Sequence, residues 1–204
     1  MKVLIVDYGM GNIKSIESTL RYCGIENIII SNEYDDFLTS DKIILPGVGS
    51  FANAMIEIRK RNLNSIIKQV AGTLKKPILG ICLGMQLMGK SSDEDGMNEG
   101  LGLVDSHVRK FEDKGIKIPH VGFNQVKIET NLKIFEGFTN NNPDFYFTHS
   151  YRMLSESEIN QCYCKYGETF IAAFELDNIA GVQFHPELSQ FNGIKLFKNF
   201  INKF

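Results

Sequence analysis

Pro77-Ile78-Leu79-Gly80-Ile81-Cys82-Leu83-Gly84-Met85-Gln86-Leu87-Met88 is the stretch that decides how this chain folds. Pro77–Ile81 reads as a short buried strand, and Gly84–Met88 begins a helix. Between them lies Gly80-Ile81-Cys82-Leu83-Gly84, a G-x-Cys-x-G strand-to-helix elbow. The flanking glycines permit a tight turn without a Cβ clash. Such a turn holds the Cys82 sulfur in the crevice beyond the carboxyl end of the strand, where open α/β sheets place their sites. The adjoining helix N-terminus favours a thiolate there. The Leu83 backbone N–H is expected to point toward a developing oxyanion.

Upstream of the elbow, strand and helix patterns alternate. Lys2–Tyr8 is an apolar, β-branched run broken by Gly9-Met10-Gly11-Asn12. Ile13, Ile16, Leu20 and Cys23 then share one helical face, and Gly24 stops that helix. Strands are expected at Glu26–Ser31 and Asp41–Leu45, the latter ended by Pro46-Gly47-Val48-Gly49. Ser50 can cap a helix through Ala54, Met55 and Ile58, and Asn64–Thr73 reads as another. This order implies a mostly parallel central sheet with helices on both faces. From about Gly100 the pattern becomes short and β-rich: Val104–Phe111, Ile116–Ile118, Gln125–Ile128, Asp144–Thr148, Gln161–Tyr166, Phe170–Leu176 and Ile179–Phe184. A helix closes the chain over Gly193–Phe204. With no repeat, low-complexity tract or linker, residues 1–204 read as one α/β domain with a small β-rich extension.

Composition narrows the function classes. The 204 residues carry a net charge of -2 with acids and lysines interleaved, so neither nucleic acid nor an anionic membrane is an expected partner. No apolar run approaches the roughly 20 residues a membrane helix needs. The opening Met1–Asp7 stretch reads as a strand, not a signal peptide. Cys23, Cys82, Cys162 and Cys164 are then expected reduced, in the cytoplasm. Cys162 and Cys164 share a strand face, but no second pair stands at ligand spacing, so no metal is expected. Gly9-Met10-Gly11 has Lys14 where a dinucleotide fingerprint needs its third glycine, so no cofactor is expected either.

His185-Pro186-Glu187 follows the strand Gly181-Val182-Gln183-Phe184. A thiol nucleophile needs a general base, and the base needs an orienting group. In an extended segment His185 and Glu187 project to one side, so the carboxylate can fix the imidazole tautomer. Pro46-Gly47-Val48-Gly49 alone is an ordinary turn. Beside the other two motifs it reads as a second backbone donor to the oxyanion, with Gly47 and Gly49 letting the peptide reorient.

These motifs, in this order, resemble the class I (triad-type) glutamine amidotransferases, and within them the HisH glutaminase subunits of imidazole glycerol phosphate synthase. The resemblance covers essentially the whole chain. Besides the three motifs it rests on Val6-Asp7-Tyr8-Gly9-Met10-Gly11-Asn12, Pro119-His120-Val121-Gly122-Phe123-Asn124 and Tyr146-Phe147-Thr148-His149-Ser150-Tyr151. It implies a flavodoxin-like fold and a triad of Cys82 (nucleophile), His185 and Glu187 that hydrolyses L-glutamine through a thioester. It further implies an oxyanion hole from Leu83 and the Val48–Gly49 strand. Gly84, Gln86 and the Ser150–Tyr151 backbone would hold the glutamine. His149 would be structural or substrate-positioning, with His120 and His107 non-catalytic. The motifs occupy the whole chain, so the ammonia is expected to go to a separate subunit in a heterodimer, the HisF (β/α)₈ barrel. Asn12, Phe123 and Leu188 would lie at that interface. Two of these positions depart from the family pattern. Phe123 stands where the family usually has Trp, losing contact area and an indole donor. Leu188 stands where it usually has Lys or Arg, losing a charge that could pair across the interface. A second expectation therefore stands beside histidine biosynthesis: a HisH-like glutaminase that supplies ammonia for sugar amidination in surface-polysaccharide synthesis.

Overall fold

A computed structural model describes residues 1–112, 115–140, 142–155, 157 and 159–204. Its main sheet has nine strands in the order β2-β1-β3-β4-β13-β12-β11-β8-β9. These are β1 (Val3–Val6), β2 (Ile28–Ser31), β3 (Lys42–Leu45), β4 (Ile78–Ile81), β8 (His120–Lys127), β9 (Asp144–His149), β11 (Asn160–Tyr166), β12 (Glu168–Leu176) and β13 (Ile179–Val182). The run β2-β1-β3-β4-β13 is parallel throughout. From β13 onward each strand pairs antiparallel with the next. The β8, β9, β11 and β12 part of the β-rich extension thus continues the central sheet. A second, four-stranded sheet, β10-β7-β5-β6, is made by β5 (Ser91–Ser92), β6 (Asn98–Glu99), β7 (Ser106–Lys110) and β10 (Tyr151–Ser155).

Helices cover both faces because strand residues alternate between two apolar layers. Val3 and Ile5 of β1 face a layer that includes α1 (Ile13–Tyr22) and α6 (Gln190–Lys203), with Ile16, Leu20, Leu196, Phe197 and Phe200 buried. Leu4 and Val6 face the opposite layer, which holds α2 (Tyr34–Thr39), α3 (Phe51–Lys60), α4 (Leu63–Gly72) and α5 (Leu83–Leu87). Ser50 does cap α3, its hydroxyl accepting from the Asn53 N–H. Among the described residues no helix is long and apolar enough to cross a membrane.

The structure departs from the sequence reading in three places. Ile116–Ile118 is not a strand. Pro119 has no N–H to give a ladder, and Ile116 and Ile118 instead pack as half-buried side chains against the core ahead of β8. The helix α2 buries only Phe37, too little to leave a periodic signal. The polar stretch 91–99, to which the sequence pattern assigns no element, contributes the two short strands β5 and β6.

Candidate active site

The site forms where β3, β4 and β13 end together. Gly80 pairs with Leu45 on one side and Gly181 on the other, and Ile81 pairs with Val182. Cys82 and Gln183 therefore leave adjacent parallel strands at the same level. The Cys82 N–H donates to Val182 O at 2.7 Å, and its backbone turns to φ 52, ψ −109. A non-glycine residue in that region costs about 1–3 kcal/mol and persists only where its surroundings hold it. The two elbow glycines supply that hold. A Cβ on Gly84 would stand 1.9 Å from Leu45 O, and one on Gly80 would stand 2.8 Å from Met85 N. Bare backbone at both positions lets α5 start directly on top of β3 and β4. That helix has five residues. Little more than one turn of aligned dipoles backs the sulfur, so charge compensation falls mainly to the histidine.

His185 is three residues beyond β13 and is almost wholly buried. Its N–H donates to Tyr146 O, and its own carbonyl accepts from the Ser189 hydroxyl at 2.6 Å and from Leu188 N–H. The ring is fixed in turn by Nδ1 donating to Glu187 Oε1 at 2.8 Å. Asn12 Nδ2 donates to the same oxygen at 3.3 Å. Burial works against a charge on this imidazole, but the Cys82 sulfur, through charge and hydrogen bonding, and then the Glu187 carboxylate outweigh it. The pKa is pushed up to about 10. Nε2 has no partner that meets ordinary hydrogen-bond geometry, so its pull toward Cys82 is chiefly electrostatic and the nitrogen is left free to give its proton to an incoming group. The arrangement is a sulfur nucleophile beside a strongly basic imidazole with a carboxylate behind it, suited to covalent attack on a carbonyl and protonation of its leaving group.

A cavity of about 310 Å³ opens at the sulfur. Val48, Gly49, Leu83, Gln86, Ser150 and Tyr151, all singled out from the sequence, line it together with Cys82. Gly84 does not; it is buried against Leu45. Gln86 faces the protein as well, its Nε2 donating to Tyr151 O at 3.0 Å and Gln183 Oε1 at 2.9 Å. The Pro46–Gly49 segment lies directly on the elbow: a Cβ on Gly47 would meet Gly84 N and Leu83 Cβ, each at 2.7 Å. Tyr8 donates its buried hydroxyl to Pro46 O at 2.7 Å, and burial, with the neighbouring Cys82 charge, keeps that phenol protonated. The Gly9–Asn12 loop runs alongside, with Gly11 against Pro46 and Met10 against Gly49.

Of the three surface expectations, Phe123 (51% exposed) and Leu188 (41%) stand outward with Val121 and Phe191. Asn12 turns inward onto Glu187. Sequence reasoning missed Gln183, whose Nε2 donates to Cys82 Sγ at 3.6 Å. Pairing the elbow strand with Gly181-Val182 would have placed it. It also missed Glu94, which lines the cavity and caps α3 by accepting from Phe51 N–H at 2.8 Å. Burial holds the Glu94 carboxyl above its ordinary pKa, as do Asp95 and Asp93.

Residues 4–204 match the family model described as glutamine amidotransferase class-I. The chain is 42% identical over 205 residues to the imidazole glycerol phosphate synthase subunit HisH of Aquifex aeolicus, covering 100% of this chain and 97% of that one. It is 43% identical over 202 residues to the HisH subunit of Escherichia coli (strain K12), covering 98% and 99%. Among solved structures, a glutamine amidotransferase superposes with TM-score 0.76 at 14% identity (97% and 96% covered). PurLQS from Thermotoga maritima superposes with TM-score 0.72 at 20% identity (98% and 97% covered). At such identities these two speak for the fold alone.

Proposed function

The chain belongs to the class I glutamine amidotransferases, of the kind that serve as the HisH subunit of imidazole glycerol phosphate synthase in histidine biosynthesis, and on that premise we propose how residues 1–204 act as one cytoplasmic glutaminase domain. The Cys82 thiolate attacks the side-chain amide carbon of L-glutamine. The oxyanion that forms is held by backbone N–H groups of Leu83 and the Val48–Gly49 segment. His185 gives its Nε2 proton to the departing amine, and ammonia leaves as the thioester forms. His185 then takes a proton from water, whose oxygen attacks the thioester carbon. Glutamate leaves and the thiolate returns. Glu187 fixes the imidazole tautomer and stabilises its positive charge.

Within the cavity, Gln86 and the Ser150–Tyr151 backbone hold the amino-acid end of the substrate. The Glu94 carboxylate supplies the negative charge an α-ammonium group requires. Gln183 donates to the sulfur and steadies it between turnovers. One observation carries this reading: a sulfur on a strained elbow, an imidazole whose basicity it raises, and a carboxylate 2.8 Å behind that imidazole.

Free ammonia entering water would be protonated, and ammonium is not a nucleophile. The product is therefore passed to a docked synthase subunit, a HisF-like barrel. Val121, Phe123 and Leu188 form an exposed apolar rim beside the site that such a partner would cover. The test is glutamate release from glutamine by the chain alone and with HisF, with and without the ribonucleotide substrate of HisF. Release that needs HisF and that substrate, and is lost in Cys82→Ala, supports the histidine assignment. Cys82-dependent release indifferent to HisF points to the surface-glycan partner, and release that survives Cys82→Ala removes the triad proposal.

A further inference from the structure

Beneath the glutamine cavity lies a second cluster that the chemistry above does not use. His120 on β8 and His149 at the end of β9 are both buried. His120 is stacked between Phe147 (centroids 4.8 Å apart, planes at 22°) and Tyr166 (3.9 Å, 20°), with Phe170 at its edge. His149 touches Phe111, Phe147 and Phe170. Apolar rings would fill this box without the cost of burying four ring nitrogens. The nitrogens must therefore be satisfied, and the protein satisfies them in one direction only.

The direction follows from the ends. Tyr151 O is a carbonyl and can only accept, so His149 Nδ1, 2.8 Å away, carries a hydrogen. Burial drives both imidazoles well below their ordinary pKa, His149 to about 3 and His120 to about 4, and the positive His185 adds to this at His149. Both rings are neutral, so each has one donor and one acceptor. His149 Nε2 then accepts, and His120 Nδ1, 3.1 Å away, donates. His120 Nε2 must accept in turn, and it faces Asn124 Nδ2 at 3.3 Å. Asn124 cannot be flipped. Its Nδ2 also donates to Lys165 O at 3.2 Å, and its Oδ1 accepts from Gln125 N–H at 2.8 Å. The line runs Asn124, His120, His149, Tyr151 O without a break in polarity. At Tyr151 O it meets Gln86, which continues through Gln183 to the Cys82 sulfur.

We propose that His120 and His149 are positioning residues for glutamine: the proton order imposed from Asn124 locks His149 as a donor to Tyr151 O and so sets the 148–151 backbone and Gln86 that line the substrate cavity. Without the His120 donor, His149 can move its hydrogen to Nε2. Two lone pairs, on Nδ1 and on Tyr151 O, would then face each other at 2.8 Å, and the backbone would have to shift. This proposal rests on the glutaminase reading above. It concerns how substrate is held, not how it is cleaved.

Two substitutions separate this role from packing. His120→Phe keeps the stacked ring and removes the donor. His120→Asn gives up the ring but keeps an N–H donor at the position of Nδ1. Positioning predicts that His120→Phe raises the KM for glutamine about 3- to 10-fold, the worth of one hydrogen bond, with kcat within about twofold. His120→Asn should stay within about twofold of wild type in both. Packing predicts the reverse order, and that result overturns the proposal. The assay uses the full chain with its synthase subunit bound. Cys82→Ala is run beside it, so that loss of the catalytic assignment is seen separately as Cys82-independent release. Nitrogen-15 spectroscopy of the wild-type imidazoles is the second measurement and needs no variant to fold. His149 should show a protonated Nδ1 and a bare Nε2 at neutral pH, and the opposite tautomer would sink the proposal.

Discussion

Replacing Glu187 with glutamine tests the triad at its most constrained point. Two donors, His185 Nδ1 and Asn12 Nδ2, converge on Oε1, so a substituted amide must present its oxygen there. Its NH₂ group then occupies the place of Oε2, which is buried without a partner. The imidazole keeps its tautomer and loses only the carboxylate charge. An opposite charge in contact moves a partner's pKa by about one to three pH units, or about 1.4 to 4 kcal/mol. At His185 the largest influence is burial, which opposes the charge; of those that raise it, Cys82 stands ahead of Glu187, so the lower half of that range applies. Glu187 raises the pKa, so Glu187→Gln must lower it, and His185 must lose its proton at lower pH. The alkaline limb of kcat/KM, expected near pH 10 in the wild type from the raised His185 pKa, should move acidward by about one to two pH units. We expect kcat to fall about 10- to 100-fold with KM nearly unchanged. Stability should drop by about 1–3 kcal/mol for the stranded amide N–H groups. Glu187→Ala leaves both donors unpaired and the tautomer free, and must be the more damaging change. Steady-state glutamate release across pH, with urea unfolding of each variant, measures all of this. An alkaline limb that stays in place, or equal losses in the two variants, would refute the converging-donor argument.

Other outcomes follow from single contacts. Gln183→Ala removes the donor to Cys82 Sγ, and kcat/KM should drop about 10-fold, as one hydrogen bond to the reacting sulfur is worth about 1.5 kcal/mol. Gly84→Ala drives a Cβ into Leu45 O; its urea midpoint should fall by an amount equivalent to about 1–3 kcal/mol or more. Gly72→Ala, at the end of α4 with nothing within 4 Å, should unfold no more easily than wild type, since alanine suits a helix better than glycine. Phe123→Ala should leave the melting of the isolated chain within about 0.5 kcal/mol while weakening synthase binding measured by calorimetry. Unchanged binding would place the partner on another face.

The parts legible in the sequence were those where local chemistry and tertiary demand coincide. β1, β3 and β4 are buried on both faces, so they read as unbroken apolar runs, and α1, α3 and α4 show their periodic faces. The elbow and the His185–Glu187 pair were legible because each needs only neighbours in sequence. What stayed hidden depends on register. Gln183 reaches the sulfur only because β13 lies parallel to β4 with Val182 opposite Ile81. Glu94 reaches the cavity only because the polar 91–99 stretch folds onto the β7 edge and hangs from Phe51 N–H. His120 and His149 look isolated in the chain and meet only across the β8–β9 pairing, where they stand directly opposite each other.

The same distinction explains the departures from ordinary backbone and hydrogen-bonding rules that meet in this crevice. Elsewhere among the described residues a positive φ at a non-glycine residue falls in an exposed turn or at a helix end, as at Asp95 and Asn62. At Cys82 it falls on a buried residue at the end of a central strand. A relaxed backbone there would continue the strand and carry the sulfur into the sheet, out of reach of any carbonyl. The left-handed turn holds it in the crevice, and the parallel partner on each side prevents it from relaxing. Glu187 Oε2 and His185 Nε2, buried and unpartnered, are costly for the same reason. His185 Nε2 cannot be given a permanent acceptor without losing the proton that ammonia must collect. Satisfying Oε2 with a second donor would draw charge away from the imidazolium that Oε1 stabilises. On the proposed mechanism each departure serves a step of glutamine hydrolysis, and repairing any one of them should give a more stable protein and a slower one.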